Sequence, residues 1–173
     1  KGSGRRIGFF PGIGGLPKWT RFLDLLAEEY EVVVPSLPGF PGGGDYHLQL
    51  DGIFDWLLVF NDIINEVGLE HANFIASSVS APLLTDWAAT WSAIGKLVLI
   101  GPFGTFLDED PMRDIWAIRP NELSRIVMKN PKIFEDYVEA EVAEDPIEWK
   151  VQQMRALEAS ARYLFPFGDT GLK

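Results

Sequence analysis

The chain has 173 residues, 47% of them hydrophobic, and it carries a net charge of −10 and no cysteine. This length and composition predict one packed globular domain and exclude a largely disordered chain. The negative charge argues against nucleic acid as a partner, because binding a phosphate backbone needs a basic face. The absence of cysteine excludes disulfides and thiolate metal sites.

Several further classes of protein have no support in the sequence. The longest apolar runs, such as residues 97–100, are far too short to cross a bilayer, and the start of the chain does not resemble a signal peptide. We therefore expect no membrane span and a cytoplasmic location. No metal-binding cluster or phosphate-binding glycine motif appears, so no metal or cofactor is expected. Because the chain starts at Lys1 without methionine and stops at Lys173, we expect a piece of a longer chain.

The first predicted elements are a strand, a glycine-rich loop and a helix. Residues 6–10 (RIGFF) are typical of a short buried strand, and residues 11–15 (PGIGG) follow as a loop. Glycines in such a loop let the backbone approach a ligand closely. Pro17 fits the first turn of a helix. The apolar face of that helix is predicted to consist of Trp19, Phe22, Leu23, Leu25 and Leu26.

A second strand and a longer helix come next. Residues 31–35 (EVVVP) predict a β-branched strand, and the proline- and glycine-rich residues 36–44 predict a surface loop. Asp51 is a plausible N-cap for a helix that Gly68 ends. The apolar positions of this helix follow a helical spacing and are Ile53, Trp56, Leu57, Phe60, Ile63, Ile64 and Val67.

Ser78 is predicted to lie at a sharp corner between a strand and a helix. Residues 74–77 have strand character, and residues 83–91 show a helical pattern. A hydroxyl at such a corner is exposed, with the positive end of a helix behind it, which suits a serine nucleophile. Residues 96–101 (KLVLIG) then predict another buried strand. The alternation predicts an α/β fold with a parallel sheet, helices on both faces and ligands beyond the carboxyl ends of the strands.

From residue 105 onward the strand pattern disappears. Residues 122–130, 133–143 and 147–164 are predicted to be helical, and prolines separate them. Three short helices after a sheet strand are typical of a cap. Its apolar underside is predicted to include Phe134, Tyr137, Val138, Trp149, Met154 and Leu157.

Taken together, these segments resemble the α/β-hydrolase superfamily, in the branch that has a helical cap after the sixth strand. The resemblance covers essentially the whole chain, and its specificity lies in the order of the segments. The matching segments are residues 8–15 for strand three and the oxyanion loop, 34–40 for the segment after strand four, 75–81 for the nucleophile elbow, 97–102 for strand six, and 162–169 for the exit helix of the cap before strand seven.

The resemblance implies a serine hydrolase that acts on an ester or a related carbonyl compound, with a small hydrophobic substrate. Ser78 would be the nucleophile, and the backbone N–H groups of Ile13 and Val79 would bind the oxyanion. The supporting residues of the elbow and loop would be Gly12, Ala76 and Ser80. The implied organisation is a core at 1–104 containing strands three to six, a cap at 105–165 and the start of a return to the core at 166–173, with the sheet incomplete at the C-terminus.

The chain also departs from the family pattern. Ala76 and Ser80 replace the first and last glycines of the G-x-S-x-G signature. A serine nucleophile needs a general base, but neither histidine lies where the family has its base. His47 and His71 are both predicted to be surface residues. The family's acid and histidine usually follow strands seven and eight, so base and acid are expected to be missing from this chain.

Two alternatives remain open at this point. Some family members place the acid after strand six, which would point to Asp108 or Asp110. The whole chain could instead be a non-catalytic or truncated hydrolase-fold module that binds a small apolar ligand or a partner.

Overall fold

The computed structural model describes residues 1–16, 18–91, 94–104, 109, 111, 113–133 and 145–164. In these residues four strands form one sheet in the order β2-β1-β3-β4, and each neighbouring pair is parallel. The strands are β1 (Arg6–Phe10), β2 (Glu31–Val33), β3 (Asn73–Ser77) and β4 (Leu97–Ile100). The predicted parallel sheet is confirmed.

Helices connect the strands and continue after the last of them. The α-helices are α1 (Arg21–Ala27), α2 (Ile53–Glu66), α3 (Ser80–Thr90), α4 (Pro120–Val127) and α5 (Pro146–Leu164). Short 3₁₀ helices lie at Tyr46–Gln49 and Ile115–Ala117. Among the described residues, no helix combines the length and apolarity needed to cross a membrane.

Apolar side chains pack on both faces of the sheet. Neighbouring residues of a strand point to opposite faces, and Phe9 and Phe10 accordingly belong to different cores. Phe9 packs in a small core that includes Leu23 of α1. Phe10 packs in the larger core, which includes Trp56 and Phe60 of α2 and several residues of α3. Helices therefore cover both faces, as predicted.

The boundaries of α2 show one correct prediction and one wrong one. Gly68 does end the helix: its φ of +65° suits glycine, and the Leu69 N–H closes the terminus by donating to the Ile64 carbonyl at 2.9 Å. Asp51, however, is not the N-cap. Gly52 holds that position, and the Asp51 backbone N–H instead donates to Asp55 Oδ2 at 2.9 Å.

The helix after β1 starts later and is less buried than predicted. α1 begins at Arg21, after Thr20 as N-cap, and Pro17 lies outside the described residues. Leu23 is the buried residue of α1, whereas Phe22 and Leu25 are exposed. A helix of two turns can turn only a narrow stripe toward the sheet.

The predicted burial of the last strand is wrong. Val98, Leu99 and Ile100 are 52%, 38% and 45% exposed. The reason is that β4 pairs with β3 on one side only and forms the edge of the sheet in the described part of the chain. An apolar strand is buried on both faces only when neighbours surround it.

Two other segments differ from their predicted surroundings. Residues 36–44 were expected at the surface, but Leu37 and Phe40 are buried and join the larger core. In α5, Leu157 packs against that core, as the predicted apolar underside requires, whereas Met154 is 66% exposed. The predicted apolar residues Phe134, Tyr137 and Val138 lie outside the described residues.

Candidate active site

Ser78 occupies the turn between β3 and α3 in an unusual backbone conformation. Its φ of +51° lies in the left-handed region, which non-glycine residues seldom adopt. Three backbone hydrogen bonds hold it there. The Ser78 N–H donates to the Ile100 carbonyl at 3.0 Å, and the Ser78 carbonyl accepts from Ala81 at 3.2 Å and from Phe103 at 3.1 Å. Strain of this kind, held by its surroundings, is typical of functional turns.

The two neighbouring serines have different surroundings. Ser77 is the last residue of β3 and keeps the strand conformation. Ser80 is fully buried at the start of α3, and its hydroxyl donates to the Pro11 carbonyl at 2.6 Å. Ser77 and Ser78 are both partly exposed, but Ser78 lies at the corner itself, after the last residue of β3.

The 11–15 loop lies directly against this corner. A Cβ atom on Gly12 would lie 3.0 Å from the Ser78 Cβ and 3.3 Å from the Ser77 Oγ. Only glycine lets the loop backbone approach the serine this closely without a shift. Gly14 has a φ of +85°, and the Gly15 N–H closes a turn on the Gly12 carbonyl at 3.0 Å. The structure therefore brings the loop and the elbow together.

Two backbone donors remain without acceptors at this junction. Neither the Ile13 N–H nor the Val79 N–H donates to another group within the part of the chain that the structure describes. Val79 is fully buried, and buried backbone N–H groups are nearly always paired. Donors fixed in a loop and before the first turn of α3 can stabilise an anion without rearranging.

The residues that replace the family's glycines fit the elbow. Ala76 is fully buried in β3 and pairs with Phe10 on one side and Leu99 on the other. The Ser80 hydroxyl links the start of α3 to the 11–15 loop across 69 residues of sequence. From the sequence alone, serine in place of glycine at position 80 predicts only a slightly more crowded backbone. The sequence does not indicate the hydrogen bond that the Ser80 hydroxyl makes.

The prediction that His47 is a surface residue is wrong. It is 1% exposed, because the 3₁₀ helix Tyr46–Gln49 packs against Gly39 and α5. Neither ring nitrogen has a hydrogen-bond partner among the described residues, and the Nε2 lies 3.9 Å from Glu158 Oε2. His71 is exposed, as expected, and precedes β3 at the end opposite Ser78. Asp108 and Asp110 lie outside the described residues.

Sequence reasoning missed two buried polar residues, one that contacts the elbow and one farther along α3. The Tyr163 hydroxyl donates to the Val79 carbonyl at 3.0 Å, and burial raises the pKa of this phenol above its usual range. Asp86 of α3 is 6% exposed, its Oδ1 has no partner among the described residues, and burial raises the pKa of its carboxyl to about 6. No sequence pattern marks either residue as polar and buried.

A cavity of about 420 Å³ opens beside the 11–15 loop, at the carboxyl ends of β1 and β2. Its walls are mainly apolar, and Ser78 is not among the residues that line it. The lining residues are Lys1, Pro11, Gly15, Leu16, Lys18, Trp19, Val32, Val33, Val34, Pro35, Ser36, Leu37, Phe40 and Pro41.

Comparisons with known proteins identify the fold. No protein-family model matches the chain, and no curated protein sequence matches it. Solved structures do match. The RedJ thioesterase of the prodiginine biosynthetic pathway in Streptomyces coelicolor is 18% identical, with a TM-score of 0.60 over 95% of this chain and 64% of that chain. The esterase RhEst1 from Rhodococcus sp. ECU1013 is 16% identical, with a TM-score of 0.60 over 93% and 64%.

A third match names the fold in its own description. An alpha/beta hydrolase fold protein from Burkholderia ambifaria is 14% identical, with a TM-score of 0.53 over 93% of this chain and 63% of that chain. The chain therefore has the α/β-hydrolase fold with an incomplete sheet, and the predicted resemblance and fold class are confirmed. It spans just under two thirds of the length of these three proteins. At these identities the likeness establishes the fold.

Proposed function

We propose that this chain carries the nucleophile and the oxyanion hole of a serine hydrolase that acts on an ester or a related carbonyl compound. The observation that carries the proposal is the φ of +51° at Ser78, between β3 and α3. A serine held in this conformation at a strand-to-helix turn is typical of a nucleophile elbow. A thioesterase and an esterase have the same fold, which supports a carbonyl substrate.

In the proposed mechanism the Ser78 Oγ attacks the substrate carbonyl carbon, and the carbonyl oxygen becomes an anion. The backbone N–H groups of Ile13 and Val79 bind that oxygen. The proximity of both groups to Ser78 supports this role: Ile13 follows Gly12, where an added Cβ atom would lie 3.0 Å from the Ser78 Cβ, and Val79 follows Ser78 in the chain. A donor of this kind typically contributes about 3 kcal/mol to the transition state. Collapse of the intermediate expels the alcohol, and water then hydrolyses the acyl-enzyme.

Proton transfer is assigned to groups outside the described site. The Ser78 proton needs a base within hydrogen-bond reach. His71 lies at the opposite end of β3, and His47 is enclosed beside Gly39 and α5. In this proposal the general base and its acid partner come from sequence outside these 173 residues.

The domain organisation belongs to the same proposal. Residues 1–104 would form the core, residues 105–165 a cap over the site, and residues 166–173 the return toward the core. The Tyr163 hydroxyl of α5 bonds to the elbow at the Val79 carbonyl, which supports a covering role for that helix. The apolar residues that α5 turns toward the larger core, among them Ala156 and Leu157, support a small hydrophobic substrate.

A fluorophosphonate probe tests the nucleophile. The longest natural version of the chain is incubated with the probe, and the labelled residue is located by mass spectrometry. We expect stoichiometric labelling that disappears in Ser78→Ala and persists in Ser77→Ala, a matched control one residue away on β3. Labelling of both variants, or no labelling of the parent protein, would contradict the proposal.

A second candidate function is a non-catalytic module that binds a small apolar ligand. The observation that favours it is the apolar cavity of about 420 Å³, which does not include Ser78. A bulky residue at the cavity wall, as in Leu16→Trp, should then weaken binding of a small apolar dye. The same change at Leu25, which is exposed on α1 and away from the cavity, should leave it unaltered. Equal dye binding by both variants would remove this candidate.

A further inference from the structure

Helix α5 lies across the carboxyl edge of the sheet and contacts the segments that follow three different strands. The contacts reach the segment after β1, the segment after β2 and the elbow after β3. They are the approach of Gln153 to Gly14, the ion pair of Arg155 with Asp45, the packing of Ala159 against Gly39, and the hydrogen bond from Tyr163 to Val79. A helix attached at these points holds its side chains in fixed positions over the candidate site.

The contact at Gly14 places a polar group beside the proposed oxyanion hole. A Cβ atom on Gly14 would lie 3.2 Å from the Gln153 Cγ and 3.3 Å from its Nε2. The carboxamide therefore lies against the Gly12–Gly15 turn, which contains Ile13. Gly14 also has a φ of +85°, so the backbone conformation of the turn favours glycine here.

The Gln153 carboxamide is available to a ligand. Its side chain is partly exposed, and it has no hydrogen bond to any of the residues that the structure describes. The carboxamide of Gln152, the preceding residue of α5, is already paired, because its Nε2 donates to Glu148 Oε1 at 2.8 Å. A carboxamide NH₂ group offers two donors, and no charge has to be removed from water when it binds an anion.

We infer that the Gln153 carboxamide donates a hydrogen bond to the anionic oxygen that forms beside the Ile13 N–H. The site would then bind an oxyanion with two backbone donors and one side-chain donor from α5. This inference deepens the proposed function, on which it rests for the identity of the anion. Gln153 would contact the reacting atoms, which makes it a catalytic residue that no recognised motif includes.

The competing explanation is that Gln153 only packs against Gly14. Gln153→Glu separates the two, since glutamate has nearly the same shape but replaces the donor with a negative charge. Packing would survive this exchange, whereas binding of an anion would suffer from repulsion and the lost donor. Gln152→Glu is the matched control, because it adds the same charge one residue away on α5.

The test measures binding of phenylphosphonate, a tetrahedral anion that mimics the oxyanion, to the full chain carrying Ser78→Ala. We expect Gln153→Glu to raise the Kd about tenfold or more and Gln153→Leu to raise it severalfold, with unchanged melting temperatures. Gln152→Glu should change the Kd less than twofold. Equal Kd values for the two glutamate variants, or no saturable binding by the parent protein, would overturn the inference.

Failure of this inference and failure of the proposed function can be told apart. Phenylphosphonate binds without a nucleophile, so the affinity pattern is independent of Ser78 chemistry. The expected pattern without any fluorophosphonate labelling would contradict the nucleophile and uphold the donor. Labelling that depends on Ser78, combined with identical Kd values for the glutamate variants, would contradict only the role of Gln153.

Discussion

β3 and β4 are both short apolar strands, but their surroundings differ. Phe74 and Ala76 of β3 are fully buried, with β1 on one side and β4 on the other. Val98 and Ile100 of β4 are 52% and 45% exposed, because β4 has a partner on one side only in the described part of the chain. Apolar strand residues thus form a core in one position and an open edge in another.

The candidate site lies where the sheet is complete. Ser78 follows β3, and the 11–15 loop follows the adjacent β1, so two paired strands bring Ser78 and this loop together. The β4 edge contributes one support to this site, the Ile100 carbonyl that accepts from the Ser78 N–H. In the proposed mechanism the packed strands preorganise the N–H groups that bind the oxyanion. This preorganisation does not depend on the base and acid that transfer protons.

The largest expected difference between the two strands is in stability. Phe74→Ala should lower the free energy of unfolding by about 3–5 kcal/mol, because it leaves a cavity where the ring packs against Phe10 and Trp87. Val98→Ala should cost about 1 kcal/mol or less, since half of that side chain is already in water. Urea denaturation of both variants measures the difference. Similar losses would mean that β4 is covered in solution.

Removing the hydrogen bond between the Ser80 hydroxyl and the Pro11 carbonyl should lower stability less than Phe74→Ala does. It should also change the reactivity of Ser78. Ser80→Ala leaves the Pro11 carbonyl without the hydroxyl that donates to it at 2.6 Å, which should cost about 1–2 kcal/mol. It should also slow labelling of Ser78, because the 11–15 loop is no longer fastened to α3. The measurements are urea denaturation and the fluorophosphonate labelling rate.

Ser160→Ala is the control for that prediction. Ser160 is also fully buried, and its hydroxyl donates to the Leu157 carbonyl within α5 at 2.8 Å. Its loss should lower stability without changing the labelling rate. If both variants label at the parent rate, the Ser80 hydroxyl does not position the loop.

The order of elements could be predicted from the sequence, whereas the burial of β4 could not. Residues 31–35 and 74–77 have strand composition, and Gly68 marks the end of a helix with regular apolar spacing; these are local signals. Residues 97–100 (LVLI) are typical of a strand as well. The burial of a strand depends on its neighbours in the sheet, and the sequence of the strand itself does not identify them.

For the candidate site, the sequence indicated positions but not long-range contacts. The place of Ser78 and of Gly12 follows from the ends of two predicted parallel strands. The bond from Ser80 to Pro11 spans 69 residues, and the bond from Tyr163 to Val79 spans 84. His47 is buried because α5 packs over it, more than 100 residues later in the chain. Such contacts appear only when the chain is folded.

The buried carboxyl of Asp86 predicts how the free energy of unfolding depends on pH. Burial raises the pKa of its carboxyl from 3.8 to about 6, so the folded state favours the protonated form. The resulting stability is fully present below about pH 4 and is lost as the pH rises through 6. Asp86→Asn should therefore gain about 1–2 kcal/mol over the parent chain between pH 4 and pH 7, after allowance for residual hydration.

Unfolding measured by urea at several pH values checks that gain. Asp62→Asn is the control, because it removes the same charge from the exposed surface of α2. A stability difference between Asp86→Asn and the parent chain that does not change with pH would show that this carboxyl is as well solvated in the folded state as in the unfolded chain.

The smallest expected effect concerns the strain at Ser78 itself. Ser78→Ala and Ser78→Gly both remove the hydroxyl, but only alanine keeps the Cβ that disfavours a φ of +51°. Ser78→Gly should therefore be more stable than Ser78→Ala by about 1 kcal/mol, measured by thermal and urea unfolding. Equal stabilities would mean that the elbow stores no strain at this position. The expected difference would instead show that the packed centre of the sheet holds Ser78 in an unfavourable conformation. After β4, the position with nearly the same φ, +49°, is occupied by glycine, Gly101, which adopts it without strain.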